Sequence, residues 1–251
     1  MGIKYRVNEL FFTKWKPEMA YVLGYLYADG NLEDASYLRG KYVRVTSTDK
    51  SSIVKIKKLL GSQHKIIERV SQIVNFSFQN KQYKSSPSYL LRIGSHALYN
   101  SLTELGLYPN KSLTVKFPKI PAYFLPHFIR GYFDGDGCVY LEMGRGIKGQ
   151  KIIKRLSVIF TSGSLDFLNG LQKQLKEAQK LNGRIYCGNR AYRLRYTTSE
   201  ATQFFPFMYL GSNDIYLKRK FNIFKSYFNL RPKRIDEKIK SILKQEGHVA
   251  N

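Results

Sequence analysis

Two related stretches decide how this chain folds: Tyr21-Val-Leu-Gly-Tyr-Leu-Tyr-Ala-Asp-Gly30 and His127-Phe-Ile-Arg-Gly-Tyr-Phe-Asp-Gly-Asp-Gly137. Each is an apolar segment with an embedded glycine, and each ends in a small residue, an aspartate and a glycine. The copies align without a gap over their last six residues, which places Asp29 and Asp136 at matching positions 107 residues apart. A repeat with one copy in each half indicates one architecture that is used twice.

Each stretch is predicted to form a buried helix. The first helix is expected over residues 18–28, because Pro17 suits a first helical turn and Gly30 follows the end. It is apolar around most of its circumference, which favours burial on more than one face. Gly24 and, in the second copy, Gly131 have no side chain, so the two helices can pack side by side about a pseudo-two-fold axis.

The residues after each motif alternate between apolar and polar, as strands do. In the first half, this predicts strands over 31–37, 42–47, 66–78 and 88–93, and helices over 50–60 and 96–105 with Asp49 and Ser95 as N-caps. In the second half, strands are predicted over 138–143, 156–161 and, as a hairpin, 184–197, and helices over 165–181, 200–209 and 215–245. Residues 107–121 contain three prolines and are predicted to link a first repeat, 1–106, to a second, 122–251.

The chain is strongly basic, with 42 lysines and arginines against 18 acidic residues and a net charge of +24. Such an excess repels itself in a folded protein, which favours a polyanionic partner that neutralises it. Basic residues recur along nearly the whole length, and this distribution favours a nucleic acid over a membrane-binding arm.

Several other classes of protein do not fit the sequence. No apolar run approaches the length of a membrane span, and the N-terminus has no signal-peptide apolar region. Cys138 and Cys187 are too few for a disulfide framework, so an intracellular compartment is expected, either cytoplasm or nucleoid or an organelle matrix. The four histidines lack zinc-ligand spacing. Gly144-Arg-Gly-Ile-Lys-Gly149 has the spelling of a dinucleotide-binding motif, but a strand pattern follows it, which predicts a hairpin turn instead.

The paired motifs resemble the signature of the LAGLIDADG homing endonucleases, in the single-chain form that carries two copies. The resemblance covers nearly the whole chain, and it includes Pro109-Asn-Lys-Ser-Leu-Thr and Tyr216-Leu-Lys-Arg-Lys-Phe, which are similar to late segments of family members. It implies an α+β fold of two pseudo-symmetric αββαββα repeats. These repeats would form a saddle of antiparallel sheets, packed through the two motif helices.

The resemblance implies that Asp29 and Asp136 are the catalytic acids and hold divalent metal, with the carbonyls of Ala28 and Gly135 beside it. Carboxylates at the ends of two helices repel one another and the helix carbonyls, and a cation relieves that repulsion. Mg²⁺ prefers such oxygen ligands, and Mn²⁺ or Ca²⁺ are alternatives. The alternative is that the two Asp-Gly pairs are ordinary turns that end two helices and have no catalytic role. The first motif departs from the family pattern, because Tyr27 stands where an aspartate is usual.

Basic side chains are expected near the reacting phosphates. Lys111 matches the late lysine of the family, and either Lys218 or Lys220 would be its counterpart in the second half. Such a lysine would polarise water or stabilise the charge of the transition state. The alternative for each is a solvated surface lysine, which is common in so basic a chain.

The hairpins are expected to contact DNA, because a two-stranded ribbon fits the major groove. Alternating polar side chains form a row suited to this task, and two serines at strand ends take places where the family often orders water. The alternative is the polar outer face of a half-buried sheet. The candidate contact residues are Arg44, Thr46, Ser47, Arg155, Ser157, Ser162, Arg193 and Arg195.

The sequence therefore predicts a Mg²⁺-dependent, site-specific endonuclease that acts as a monomer on a long, asymmetric double-stranded DNA site. A nucleic-acid-binding protein of the same fold without nuclease activity, either a splicing maturase or a transcription factor, is the second hypothesis. An intein is a third. Because the sequence begins Met-Gly and ends Val-Ala-Asn, a free-standing or intron-encoded protein is expected instead.

Overall fold

A computed structural model describes residues 5–38, 40–71, 73–76, 81–147 and 149–245 of the chain. Within these ranges it contains eight α-helices and ten β-strands, and all strand pairs are antiparallel. The predicted α+β class is therefore confirmed. No helix in the described ranges is long and apolar enough to cross a membrane.

The elements of the first half begin with the first motif helix. They are α1 (Pro17–Asp29), β1 (Gly30–Ala35), β2 (Gly40–Ser47), α2 (Lys50–Leu59), β3 (Ile66–Arg69), β4 (Ile73–Phe76), β5 (Lys81–Lys84), β6 (Ser88–Gly94) and α3 (His96–Glu104). The second half repeats the plan and adds two helices. Its elements are α4 (Leu125–Asp136), β7 (Gly137–Arg145), β8 (Lys151–Ser162), α5 (Leu165–Gln179), β9 (Arg184–Cys187), β10 (Tyr192–Thr197), α6 (Thr198–Tyr209), α7 (Lys218–Leu230) and α8 (Glu237–Gln245).

Each half contains a four-stranded sheet with the same order of strands. The order is β1-β2-β6-β3 in the first half and β7-β8-β10-β9 in the second, so the predicted repeat is confirmed at the level of topology. In the first half, the predicted pairing of 66–78 with 88–93 is confirmed for β3 and β6, but β4 does not continue that strand and instead forms a separate two-stranded hairpin with β5. The polar stretch between β3 and β6 is long enough to fold back on itself, which the prediction of a single hairpin did not allow for.

The chain forms two compact units, one of residues 1–15 and 29–110 and the other of 16–28 and 111–251. Residues 17–28 of α1 therefore belong to the same unit as α4, while Asp29, the last residue of the helix, belongs to the other unit. The predicted repeats, 1–106 and 122–251, remain a prediction, because a compact unit defined by contacts need not coincide with a sequence repeat.

In the unit of 29–110, one face of the sheet is apolar and is covered by α2 and α3. Val45 and Leu91 on the central strands and Ile53 and Leu102 on the helices are each completely buried. Burial of a side chain of this size stabilises a fold by about 1.5–3 kcal/mol. The predicted N-caps Asp49 and Ser95 are confirmed, because Asp49 accepts a hydrogen bond from the Ser51 amide at 3.0 Å and Ser95 accepts one from Leu98 at 3.2 Å.

In the unit of 16–28 and 111–251, the apolar face of the sheet packs against aromatic side chains. Phe160 on β8 lies 5.5 Å, between ring centroids, from Phe204 on α6, and Tyr196 on β10 lies 4.8 Å from the same ring. Such tilted and edge-to-face pairs add to the stabilisation from burial. The opposite face of the sheet carries the polar side chains.

The connection between β7 and β8 and the C-terminal helices complete the second half. The Gly144–Gly149 segment closes the β7–β8 hairpin, as expected, and the amide of Gly146 donates to the carbonyl of Gln150 at 2.8 Å. Residues 215–245 are helical only in part, because Pro232 opens a short 3₁₀ turn between α7 and α8.

Candidate active site and nucleic-acid face

Helices α1 and α4 approach one another at their glycines. A Cβ atom placed on Gly24 would overlap the carbonyl of Phe128, and one placed on Gly131 would overlap the carbonyl of Tyr21. Tyr21 and Phe128 are themselves 107 residues apart, so the two contacts are related by the same interval as the motifs. The pair therefore has local pseudo-two-fold symmetry, with close contact between backbones that only glycine permits.

The symmetry is broken where the first motif departs from the family pattern. The Tyr27 ring lies 5.4 Å from the ring of Phe128 and 6.0 Å from that of Phe167, and it is buried. At the matching position, Asp134 is 2% exposed and accepts hydrogen bonds from the Tyr21 hydroxyl and the Leu217 amide, both at 2.8 Å. One helix thus carries an aromatic packing residue where the other carries a buried carboxylate.

The buried carboxylate connects α4 to the segment that leads into α7. Burial raises the pKa of Asp134, while the charge of Lys220 and the hydrogen bonds from Tyr21 and Leu217 oppose that rise. Leu217 immediately precedes α7, whose third residue is Lys220. Asp134 therefore positions the start of the helix that carries this lysine.

A buried lysine lies on the last carbonyls of each motif helix. The Lys111 ammonium donates to the carbonyls of Tyr27 at 2.8 Å and Ala28 at 3.4 Å, while Lys220 donates to those of Asp134 at 2.9 Å and Gly137 at 2.6 Å, and also to Phe133. The two lysines are 4% and 3% exposed. Carbonyls at a helix C-terminus carry partial negative charge, which compensates the ammonium for its loss of water.

This geometry selects between the two lysines that the sequence left open. Lys218 is exposed at the first turn of α7, whereas Lys220 faces the end of α4. Lys220 therefore occupies the position in the second half that Lys111 occupies in the first, whereas Lys218 lies on the exposed surface of α7.

The candidate acids lie close in sequence to the carbonyls that the lysines contact: Asp29 follows Ala28, and Asp136 lies between Asp134 and Gly137. Asp29 is the last residue of α1 and is half-buried, and Asp136 is the last residue of α4 and is exposed. The carbonyl of Ala28 accepts a hydrogen bond from Lys111, and Gly135 is half-buried. In the part of the chain that the structure describes, no group of three or more His, Cys, Asp or Glu residues is placed to hold a metal ion.

A buried arginine that was not among the candidates from the sequence connects α4 to the carbonyls of Met208 and Ile215. Arg130 is completely buried and donates to the carbonyls of Ile215 at 2.7 Å and Met208 at 2.6 Å. Its guanidinium also lies 2.9 Å from Nδ1 of His127. Burial and the charge of Arg130 together lower the pKa of His127 to about 4. An arginine in the middle of a helix that is predicted to be buried is the signal in the sequence that pointed to this network.

The polar face of the first sheet carries ion-paired arginines. Arg44 and Thr46 are half-buried neighbours on β2, as the alternation predicted. Nη1 of Arg44 lies 3.4 Å from a carboxylate oxygen of Glu33, and Nη2 of Arg92 lies 2.9 Å from the other. The sequence gives no local sign that Arg92 and Glu33 pair, because 59 residues separate them.

The polar face of the second sheet is arranged in a similar way. Arg155 and Arg193 are exposed, and Arg195 forms an ion pair with Glu142. Arg155 lies directly across from Glu142 in the pairing of β7 with β8. A polar cleft of about 360 Å³ adjoins them and adds Arg184 and Tyr186, which the sequence analysis did not select, to its lining.

The candidate serines have structural roles. Ser157 is completely buried and donates to Glu142 at 2.9 Å, which contradicts the expectation that it contacts DNA. Ser47 and Ser162 occupy matching places at strand ends, where each hydroxyl accepts a hydrogen bond at 3.1 Å from the amide of the helix N-cap two residues later. Ser162 is also buried, so these hydroxyls shape the turn into the next helix.

Residues 124–206 match the family model of the LAGLIDADG-like domain. Among solved structures, the LAGLIDADG meganuclease I-CpaMI bound to uncleaved DNA is similar with a TM-score of 0.55 and 13% identity, over 92% of this chain and 98% of that one. The meganuclease I-AabMI bound to uncleaved DNA has a TM-score of 0.53 and 16% identity, over 92% and 97%. The homing endonuclease I-WcaI bound to its DNA recognition sequence has a TM-score of 0.53 and 12% identity, over 84% and 88%. Because the identities are low, the structural similarity shows a shared fold alone.

A curated relative is a probable translation initiation factor IF-2 from Methanocaldococcus jannaschii. It is 29% identical over 189 residues, which are 72% of this chain but only 13% of that protein. The chain thus spans a small part of that relative. Residues 124–206 are thus similar to the LAGLIDADG-like domain, and most of the chain shares the fold of LAGLIDADG meganucleases.

Proposed function

We propose that this protein is a site-specific endonuclease that hydrolyses both strands of a long, asymmetric double-stranded DNA target. The observation that carries the proposal is the repeated end of the motif helices. At the end of each helix, a buried lysine donates hydrogen bonds to the last carbonyls, close to the aspartate that ends the helix. Two ordinary helix caps would not require a buried ammonium on each.

Asp29 and Asp136 are proposed as the acids that bind divalent metal. Their carboxylates, with the carbonyls of Ala28 and Gly135 and with water or phosphate oxygens, are the hard donors that Mg²⁺ prefers, and Mn²⁺ and Ca²⁺ accept the same set. When bound, the cation would lower the pKa of a coordinated water and neutralise charge on the phosphate. The residues present fit such a site, since both acids lie at helix ends and neither is fully buried.

Lys111 and Lys220 are proposed to stabilise negative charge that develops on the phosphate. Their carbonyl contacts hold each ammonium in place before substrate arrives, so little reorganisation is needed when the charge develops. Their burial separates them from the many solvated lysines of the surface. These contacts support a direct role of both lysines at the reacting phosphate, in addition to the general attraction between the basic protein and DNA.

DNA is the proposed partner because of the charge of the chain and the polar sheet faces. The net charge of +24 favours a polyanion, and arginines on β2, β8 and β10 lie on the faces that the helices leave uncovered. Arg44, Arg155, Arg193 and Arg195 are the proposed contact residues, with Thr46 beside them. We expect the protein to bind as a monomer, because both motifs lie on one chain.

The experiment that tests this function is selection of cleavable sites from a randomised DNA library in the presence of Mg²⁺. The proposal predicts recovery of one long, non-palindromic sequence that is cut on both strands. Recovery of no cleaved sequence above the background of an EDTA control would contradict it.

The second candidate is a DNA- or RNA-binding protein of this fold that does not cleave, such as a splicing maturase or a transcription factor. Tyr27 favours it, because the first motif lacks the aspartate found at position 134 of the second. Binding that persists in EDTA, with no cleavage of a selected site when Mg²⁺ is restored, would support this candidate over the endonuclease.

A further inference from the structure

Two glutamates lie on the polar faces of the basic sheets, where arginines surround them. Glu33 is on β1, the first strand of its sheet, and Glu142 is on β7, the first strand of the other. Both are charged side chains on surfaces that we propose for DNA.

In the first sheet, Glu33 holds two arginines. It accepts hydrogen bonds from Nε of Arg92 at 3.2 Å and Nη2 of Arg92 at 2.9 Å, one on each carboxylate oxygen, and from Arg44 at 3.4 Å. The Arg92 guanidinium also lies 3.4 Å from the centroid of the Tyr42 ring. The hydrogen bonds from Arg92 lower the pKa of Glu33, so its charge is present throughout the neutral range.

In the second sheet, Glu142 holds one arginine and two hydroxyls. It forms an ion pair with Arg195 and accepts hydrogen bonds from Ser157 at 2.9 Å and Tyr140 at 3.4 Å. Ser157 also accepts a hydrogen bond from Arg195 at 3.2 Å, so the guanidinium is held on two sides. The side chains of Arg195 and Glu142 are 29% and 24% exposed, which leaves part of the pair open to a ligand.

The two arrangements occupy matching places in the repeat. Arg92 lies opposite Arg44, and the residue that follows Arg44 lies opposite Gly30, the first residue of β1. In the same way, Arg195 lies opposite Ile159, and the residue that follows Ile159 lies opposite Gly137, the first residue of β7. Arg92 and Arg195 therefore have the same register in their sheets. The glutamates differ by two positions along the first strand, which keeps both on the same face.

We propose that Glu33 and Glu142 determine specificity by weakening the attraction of these faces for DNA of the wrong sequence. Each carboxylate repels phosphate and competes with it for the guanidinium, which reduces binding that depends on charge alone. Each also orients an arginine whose remaining N–H groups can read base edges. The inference rests on the proposed function, because it assumes that these faces bind DNA.

A purely structural role for the pairs predicts something different. Half-exposed ion pairs stabilise a fold by only about 0–1 kcal/mol, so their loss would lower thermal stability slightly and leave DNA affinity governed by net charge. A glutamate elsewhere would then have the same effect on affinity when it is neutralised. The two roles can be separated with a matched control.

The test measures the affinity of Glu33→Gln and Glu142→Gln for a random-sequence duplex at several salt concentrations. Each variant should bind about 3- to 10-fold more tightly than wild type. The slope of its log affinity against log salt concentration should be steeper by up to about one. Glu177→Gln on α5 and Glu237→Gln on α8 make the same charge change at exposed positions off the sheets and should change affinity less than twofold. Glu33→Asp, which keeps the charge, should bind the random duplex as weakly as wild type.

Equal tightening in all four glutamine variants would overturn the proposal, and so would no tightening in any. Melting temperatures identify any variant that fails to fold, in which case the other sheet supplies the comparison. The random duplex requires no known target and no cleavage. A failed library selection with a positive result here would therefore reject the endonuclease and keep the specificity role, whereas wild type that binds no duplex would reject both.

Discussion

At the scale of single residues, Asp134 is the most constrained acid in the described part of the chain. Its carboxylate is 2% exposed, and it joins α1, α4 and the residue before α7 through Tyr21 and Leu217. Breaking a buried, hydrogen-bonded charge costs more than the net value of the pair, because the partner is left without compensation. Here the groups that lose their acceptor are the Tyr21 hydroxyl and the Leu217 amide, and the charge of Lys220 loses a nearby opposite charge.

We therefore expect Asp134→Asn to lower the free energy of unfolding by about 3 kcal/mol. Urea denaturation followed by circular dichroism measures the change, and Glu177→Gln on the exposed face of α5 is the control, with an expected change below about 0.5 kcal/mol. A change no larger than that of the control would show that Asp134 does not hold the network together.

His127 should make stability depend on pH. Its pKa in the folded protein is lowered to about 4 by burial and by Arg130, whereas the unfolded chain has a pKa near 6.5. Between these values the unfolded state binds more protons, so stability is highest above pH 6.5 and falls as the pH drops towards 4, by up to about 3 kcal/mol in total. His127→Asn cannot titrate, and its unfolding free energy should lose less over this window than that of wild type. Parallel curves for the two proteins would contradict the assignment.

At the scale of elements, the contact between α1 and α4 depends on two glycines. A methyl group on Gly24 or Gly131 would overlap a backbone carbonyl, which cannot move aside as a flexible side chain can. Gly24→Ala and Gly131→Ala should each lower the unfolding free energy by about 3 kcal/mol or more. Gly144→Ala on β7 is the control, since a Cβ there would meet Lys154 at an ordinary 3.6 Å. Stability of the Gly24 variant equal to that of the control would mean that the helices do not pack as closely as described.

The first turn of α7 provides a matched pair of lysines for a test of catalysis. Lys220→Met removes the ammonium at the end of α4 and should slow single-turnover cleavage of a selected site by about 10²-fold or more, with binding retained. Lys218→Met removes an exposed charge two residues away and should slow it less than threefold. Equal effects of the two substitutions would assign the lysines to charge neutralisation alone.

Local patterns predicted most of the elements, and pairings between distant residues were the part that they could not predict. Helix α1 and the caps at Asp49 and Ser95 follow from residues a few positions apart, which is where propensity and periodicity act. The pairing of Glu33 with Arg92 over 59 residues has no local signature, and neither has that of Glu142 with Arg195 over 53. The choice of Lys220 over Lys218 needed the course of the chain after α6, which the helical pattern of 215–245 does not contain.

At the scale of the whole molecule, one plan is used twice and the copies have diverged. The order of strands and the lysine on the motif helix are repeated, while Tyr27 and Asp134 differ at matching positions. The repeated features are those that the proposed chemistry needs. The divergent residues are buried, so they change how each motif helix is packed.

The central claim is that Asp29 and Asp136 cut DNA together with divalent metal. The most direct measurement is strand-resolved cleavage of a selected site by wild type, Asp29→Asn and Asp136→Asn, with Mg²⁺ and with EDTA, alongside the affinity of each protein for the same site. We predict that each substitution abolishes double-strand cleavage, as EDTA does for wild type, while binding to the site is retained. Full cleavage by either variant at unchanged affinity would contradict the account.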